Sequence, residues 1–315
     1  MKILSLSGFV PEQICDTVRF TQYRGDRNLS HYCGYASDYI SQVLKDDSID
    51  GAVFPKSCDS TRIIASYLKD CGKFFYQMPV PSSRSEEAAG YLAHSIRRYR
   101  EALEAYYGIS INDVTERAEL VNLRNEKIRK LYEDISQIPY GRYLDRMHAL
   151  LTQSLREQSF CDDDFGHRDQ TGGRKTFLVG SYLANAKIAE MIEAAGFRVV
   201  GDNLPESGRL AHTPPVDLED DIYHGIARSL LSNRVSPTQN DFRSLIEKDM
   251  EEMEQKDASC VIFVTQQYCE PYDFLYTLYR KRLDEKGIPV LHLKVSDTED
   301  DRKVALAVEA FADTL

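Results

Sequence analysis

Residues 261–274 read VIFVTQQYCEPYDF, and residues 51–60 read GAVFPKSCDS. Each stretch is a short apolar run, then a polar elbow, then a cysteine beside an acid: Cys269 before Glu270, and Cys58 before Asp59. An unbroken apolar run of this length is the signature of a strand buried on both faces, as in a parallel sheet. Each cysteine therefore stands at the carboxyl end of a strand and at the start of the next helix.

Outward from these two points the chain alternates strand and helix. GAVFP leads to STRIIASYLKD and then KFFYQMPV; KTFLVGS leads to NAKIAEMIEAAG and then FRVVGDN. CVIFVTQ leads to PYDFLYTLYRKRLDEKG, and PVLHLKV to DRKVALAVEAFADTL. This rhythm predicts parallel sheets with right-handed crossovers. The expected fold class is α/β, with two doubly wound (flavodoxin/Rossmann-like) parallel-sheet domains and a helical segment between them. Residues 86–158 carry a helical period, with stops at Gly108 and before Pro139. The segment 159–175, SFCDDDFGHRDQTGGRK, is polar and reads as a linker. The expected parts are thus 1–85, an N-terminal α/β domain; 86–158, helical; 159–175, linker; and 176–315, a C-terminal α/β domain.

The chain has 315 residues, 42% hydrophobic and 28% charged, a length suited to two α/β domains. Its net charge of −11 argues against nucleic acid as a partner, since phosphate binding needs a basic face. The basic runs SIRRYR and RNEKIRK are interleaved with acids and read as solvated helix faces. No apolar run approaches the roughly 20 residues that span a bilayer, so no membrane is expected. MKILSLSGFVPEQ lacks the pattern of a signal peptide, and the cytoplasm is the expected location.

Seven cysteines fall at 15, 33, 58, 71, 161, 260 and 269. In the cytoplasm they are expected as reduced thiols. Neither a C-x-x-C nor an H-x-x-x-H pair is present, which disfavours a structural zinc of the usual local kind. Ligands in doubly wound sheets bind outside the carboxyl ends of strands. Backbone N–H groups at a helix start stabilise a thiolate there. Cys33, in LSHYCGYASDYISQVL, shares this setting with Cys58 and Cys269. Position alone leaves two readings, a shared metal site or ordinary thiols near an elbow. Three thiolates are soft ligands that select iron–sulfur clusters, zinc or cuprous copper. Cys260 is expected in the core and Cys71 and Cys15 in packing roles, while Cys161 sits in the linker, a poor ligand platform. Tyr32, Tyr35 and Tyr272 are expected to pack.

Several stretches together resemble the 2-hydroxyacyl-CoA dehydratase and benzoyl-CoA reductase superfamily, in its cluster-carrying (dehydratase D-component) subunits. They are GFVPEQI, HYCGYA at 31–36, DGAVFPKSCDSTR at 50–62, MPVP at 78–81, the helical block with Asn122 and PYGR, LVGSYLANAKIAEMIEAAGFRVVGDNLPESGR, VIFVTQQYCEPYDF, KGIPVLHLKVSD and the VEAF tail. The resemblance implies that Cys33, Cys58 and Cys269 hold a 4Fe-4S cluster between two similar α/β domains. It implies a dimer with a homologous or identical subunit, a separate ATPase activator that delivers one electron, and an acyl-CoA substrate that is dehydrated (lyase chemistry) or reduced. Related homodimeric proteins imply an alternative: a double-cubane cluster that reduces small molecules without CoA. A further one is a non-catalytic electron-transfer subunit. The chain holds no G-x-x-x-x-G-K-[ST] loop, so ATP use is expected in the partner chain. Three places depart from the family. PEQI puts Gln13 where an acid is common, CGYAS lacks the Arg that often follows the first Cys, and ALAVEAF lacks a Thr-Arg pair.

Overall fold

The computed structural model describes residues 1–6, 9–15, 17–20, 32–156, 172–183, 186–219, 221–232, 236–239, 241–295 and 301–315. The chain divides into two compact units. Unit 1 comprises Met1–Lys127, Leu150–Phe160 and His212–Asn240; unit 2 comprises Ile128–Ala149, Cys161–Ala211 and Asp241–Leu315.

Unit 1 is built on a four-stranded parallel sheet of β1 (Ile3–Ser5), β2 (Thr17–Arg19), β3 (Gly51–Lys56) and β4 (Phe74–Pro79), in the order β2-β1-β3-β4. The crossovers described are α1 (Gly34–Lys45) and α2 (Asp59–Leu68). β3 is buried along its first five residues, which explains its unbroken apolar run. The long α3 (Glu86–Tyr107) starts at Ser85, whose hydroxyl accepts from the Ala88 N–H, and ends at Gly108 with φ 65°. Only a residue without a Cβ takes that left-handed turn at no steric cost. Leu92, Ile96, Tyr99 and Leu103 recur at helical spacing on the face that α3 buries. They join Val10, Phe74 and Met78, and also Ile226, Ala227 and Leu231 from α8 (Ile222–Ser232). Each such apolar side chain contributes about 1.5–3 kcal/mol when fully buried.

Unit 2 repeats the sheet. Its strands β5 (Arg174–Gly180), β6 (Phe197–Asn203), β7 (Cys260–Gln266) and β8 (Val290–Val295) are parallel in the order β6-β5-β7-β8. Around it lie α5 (Tyr140–Thr152, to residue 149), α6 (Ala186–Ala194), the single turn α7 (Gly208–Ala211), α9 (Phe242–Gln255), α10 (Glu270–Lys286) and α11 (Asp301–Asp313). A further helix, α4 (Val114–Glu133), spans the border at 127/128. β7 is buried over its whole length, with Cys260 in the core as expected.

The units are not contiguous blocks of chain. By contacts the two units interleave along the chain, because α8 packs with α3 and belongs to unit 1. Of the expected linker, residues up to 171, including Cys161, lie outside the described residues. Its last two, Arg174 and Lys175, open β5.

Both sheets start in the middle, add one strand on one side, and return to the other. The order therefore reverses between β1 and β3, and between β5 and β7, which is where doubly wound sheets bind ligands.

Candidate functional site

Cys58 follows β3 and Cys269 follows β7, so the two occupy corresponding elbows of the two sheets. Each caps the helix that follows. The Cys58 carbonyl accepts from the Arg62 N–H at 3.0 Å, and the Cys269 carbonyl from the Asp273 N–H at 3.1 Å. Cys33 does the same for α1, accepting from the Ser37 N–H at 3.0 Å. All three expected helix starts are thus real N-caps. The side chains of Cys33 and Cys269 do not cap their own helices. At Cys58 the backbone N–H donates to Thr61 Oγ1 at 3.1 Å, which ties the elbow to the first turn of α2. Pro271, in the first turn of α10, needs no N–H partner there.

Cys33 is buried, whereas Cys58 and Cys269 are half-buried. None of the described cysteines is in a disulfide. Cys33 and Cys58 belong to unit 1 and Cys269 to unit 2. Among the described residues no three His, Cys, Asp or Glu side chains are gathered as a metal ion would need. The fit to an iron–sulfur cluster therefore rests on the donor chemistry of each thiol, with its helix start behind it.

The remaining cysteines have other settings. Cys15 is buried, with Sγ 3.2 Å from Thr17 Oγ1 and 3.4 Å from the Tyr99 hydroxyl. It also lines a cavity of about 490 Å³ with Ile111, Asp113 and Arg117 at the start of α4; neither Cys33 nor Cys58 borders it. Cys71 is half-buried beyond the end of α2. Tyr35 packs edge-on to Phe20 and Tyr32 edge-on to Tyr67, as expected of aromatic packing.

The carboxyl rim of unit 2 is tied together by hydrogen bonds. Gln266 donates from its backbone to Ser181 Oγ at 3.0 Å and from its amide to the Tyr182 carbonyl at 2.8 Å. The Leu183 N–H donates to Glu206 Oε1 at 2.6 Å. Asp202, at the end of β6, accepts from the Leu204 and Gly208 N–H groups, from Ser207 Oγ and from the Tyr140 hydroxyl. Gly208 is required there, since a Cβ would lie 1.9 Å from the Asp202 carbonyl oxygen. Arg209 donates to Asn203 Oδ1 at 2.7 Å, and its guanidinium lies 5.6 Å from the centre of the Tyr272 ring. Asn203 and Tyr279 both bond to the buried Asp249. Sequence reading passed over Glu206 and Arg209. The only signal was NLPESGR, charged residues after a buried strand.

Burial raises the Glu206 pKa to about 8, against the pull of the Leu183 N–H and Arg209. Burial lowers that of His148 to about 4, against Asp145. The groups that act on Glu206, or that it acts on, include Asp202, Arg209, Tyr140, Tyr143 and Tyr272. Above the ordinary value of 4.5 the folded state keeps a proton on Glu206 that the unfolded state loses, so stability falls as pH rises towards 8. His148 works the other way between about 4 and 6.5, because the unfolded state holds the extra proton. The two offset one another between about 4.5 and 6.5. From pH 6.5 to 8 Glu206 acts without that opposition, at about 1.4 kcal/mol per pH unit. Urea midpoints are expected to fall over this window in the native chain and to flatten in Glu206→Gln. An equal fall in both would show that another group carries it.

The fold and the rim define an α/β protein of two doubly wound units, each with a thiol at the elbow after its third strand. The model of the family described as "2-hydroxyglutaryl-CoA dehydratase, D-component" matches residues 2–315, and the chain belongs to that family. The (R)-phenyllactyl-CoA dehydratase beta subunit of Clostridium sporogenes is 20% identical over 292 residues, covering 85% of this chain and 76% of that one. Among solved structures, a mutant Mn-bound periplasmic metal binding protein from candidatus liberibacter asiaticus aligns with a TM-score of 0.25 and 10% identity. It covers 100% of this chain and 99% of that one. An SsGBP and GDP complex aligns at 0.24 and 10%, covering 99% and 98%. Overlaps this low carry no argument about site or activity. No helix among the described residues is long and apolar enough to cross a membrane.

Proposed function

We propose that this chain is the cluster-carrying subunit of an enzyme that dehydrates a 2-hydroxyacyl-CoA, with Cys33, Cys58 and Cys269 as the ligands of a 4Fe-4S cluster. The observation that carries this reading is the family match over residues 2–315. The three thiols at helix N-caps support the ligand set. When bound, such a cluster supplies one-electron chemistry and, with three protein ligands, an iron open to an oxygen donor.

The chain's own residues do the rest. The N-terminal turns of α1, α2 and α10 stabilise the charge of a thiolate at each elbow. Thr61 fixes the Cys58 elbow, and the Gln266–Ser181–Tyr182 bonds fix the strand end before Cys269. The partners in this reading are a homologous or identical subunit and a separate ATPase that delivers the electron, since this chain lacks a phosphate-binding loop of the Walker type. The compartment is the cytoplasm, where thiols stay reduced.

The test is iron and sulfide content after purification without oxygen. Cys33→Ser, Cys58→Ser and Cys269→Ser are each expected to lose most of the iron, while Cys260→Ser keeps it. Native iron content in any of the first three removes that residue from the ligand set. An iron-free native protein sinks the reading as a whole.

A further inference from the structure

Two buried carboxyls stand four positions apart on the rim of unit 2, and their hydrogen bonds differ. Asp202 has both oxygens engaged, by two backbone N–H groups and two hydroxyls. It holds the turn from β6 into α7 in place. Glu206, 2% exposed, has Oε1 engaged by the Leu183 N–H. Its Oε2 is buried with no hydrogen-bond partner among the described residues. A buried polar atom without a partner costs about 1–3 kcal/mol, so native proteins rarely keep one without a use.

The place of Glu206 indicates the use. It sits at the carboxyl ends of β5 and β6, one strand from the reversal between β5 and β7 and on the carboxyl side of the sheet, where doubly wound sheets take their ligands. Tyr272, the third residue after Cys269, has the Arg209 guanidinium 5.6 Å from its ring centre, and Arg209 follows Glu206 by three residues after β6. Desolvation outweighs Arg209, so at neutral pH the Glu206 carboxyl is uncharged and carries a proton. An uncharged, buried carboxyl is a hydrogen-bond donor, suited to an oxygen that gains negative character.

We propose that Glu206 is a specificity-determining residue whose Oε2 donates a hydrogen bond to the thioester carbonyl oxygen of a bound 2-hydroxyacyl-CoA. This rests on the dehydratase reading above. No proton is transferred in binding; the bond orients the carbonyl at the rim of unit 2. The Arg209 guanidinium, held by Asn203 over the Tyr272 ring, adds positive potential on the same side.

The test is infrared difference spectroscopy and equilibrium binding on the full chain, purified without oxygen, with (R)-phenyllactyl-CoA and 2-hydroxyglutaryl-CoA as probes. A protonated-carboxyl C=O band is expected near neutral pH in the native chain. It should be absent in Glu206→Gln and shift when a probe binds. Glu206→Ala is expected to weaken binding about tenfold, the upper range for one hydrogen bond. Glu206→Gln, which keeps an N–H donor, should lose less than about threefold. The native-chain spectrum needs no variant, so a poorly folded Glu206→Ala protein does not spoil the test. If a probe binds and the band is absent or unmoved, the proposal is overturned while the dehydratase reading stands. If neither probe binds the native chain, the proposal is overturned, and iron content decides the dehydratase reading separately.

Discussion

Glu12→Gln is expected to destabilise unit 1 by about 3–5 kcal/mol, the usual cost of leaving buried charge uncompensated. Glu12 is 3% exposed and lies between two guanidiniums. Arg19 bonds to Oε1, and Arg124, itself 2% exposed, approaches Oε2 at 2.5 Å. Removing the carboxylate leaves two buried cations facing each other. Arg124→Met is expected to cost less, because Arg19 still balances Glu12. Urea unfolding of both variants checks this order, and an Arg124→Met protein less stable than Glu12→Gln would refute it. The two arginines hold the Glu12 pKa below its ordinary 4.5 in spite of burial. The pair's stabilisation is therefore present above 4.5 and is lost as pH falls through the lower, folded value. A carboxylate so held is a poor proton carrier. The neighbouring Gln13, also buried, carries an amide and no acid group.

Gly180→Ala is expected to cost unit 2 about 4 kcal/mol, as a backbone collision added to strain at a positive φ. Gly180 ends β5 with φ 146°, and a Cβ there would lie 1.9 Å from the Val264 carbonyl oxygen of β7. That same oxygen accepts the Ser181 N–H, so the collision strikes the crevice between β5 and β7. Gly196→Ala separates the two causes. Its φ of 88° is equally unsuited to alanine, yet no atom lies within 4 Å of the added Cβ. It is expected to cost about 1–2 kcal/mol. Thermal unfolding of the two variants measures the difference, and similar losses would show that strain, not contact, dominates at Gly180.

Much of this architecture is legible from residue order. The apolar runs of β3, β5, β6 and β7 mark buried parallel strands because both faces of such strands meet helices, whereas the edge strands β4 and β8 are only partly buried. The spacing of Leu92, Ile96, Tyr99 and Leu103 marks the buried face of α3, and Gly108 marks its end. Cys33, Cys58 and Cys269 are legible as helix starts because strand end, elbow and helix are adjacent in sequence. Periodicity is a local property, and each of these features lies within a dozen or so residues. β1 and β2 have three residues each, too few to show a period, and their place in the sheet comes from the pairing of β1 with β2 on one side and with β3 on the other. The tertiary structure alone gives α8 to unit 1, through its packing on α3. It alone sets Arg124 against Glu12 and puts the Leu183 N–H on one oxygen of Glu206 and no hydrogen-bond partner from the described residues on the other. A carboxylate in a sequence has no fixed pKa or role; burial and the partners that packing brings to it determine both.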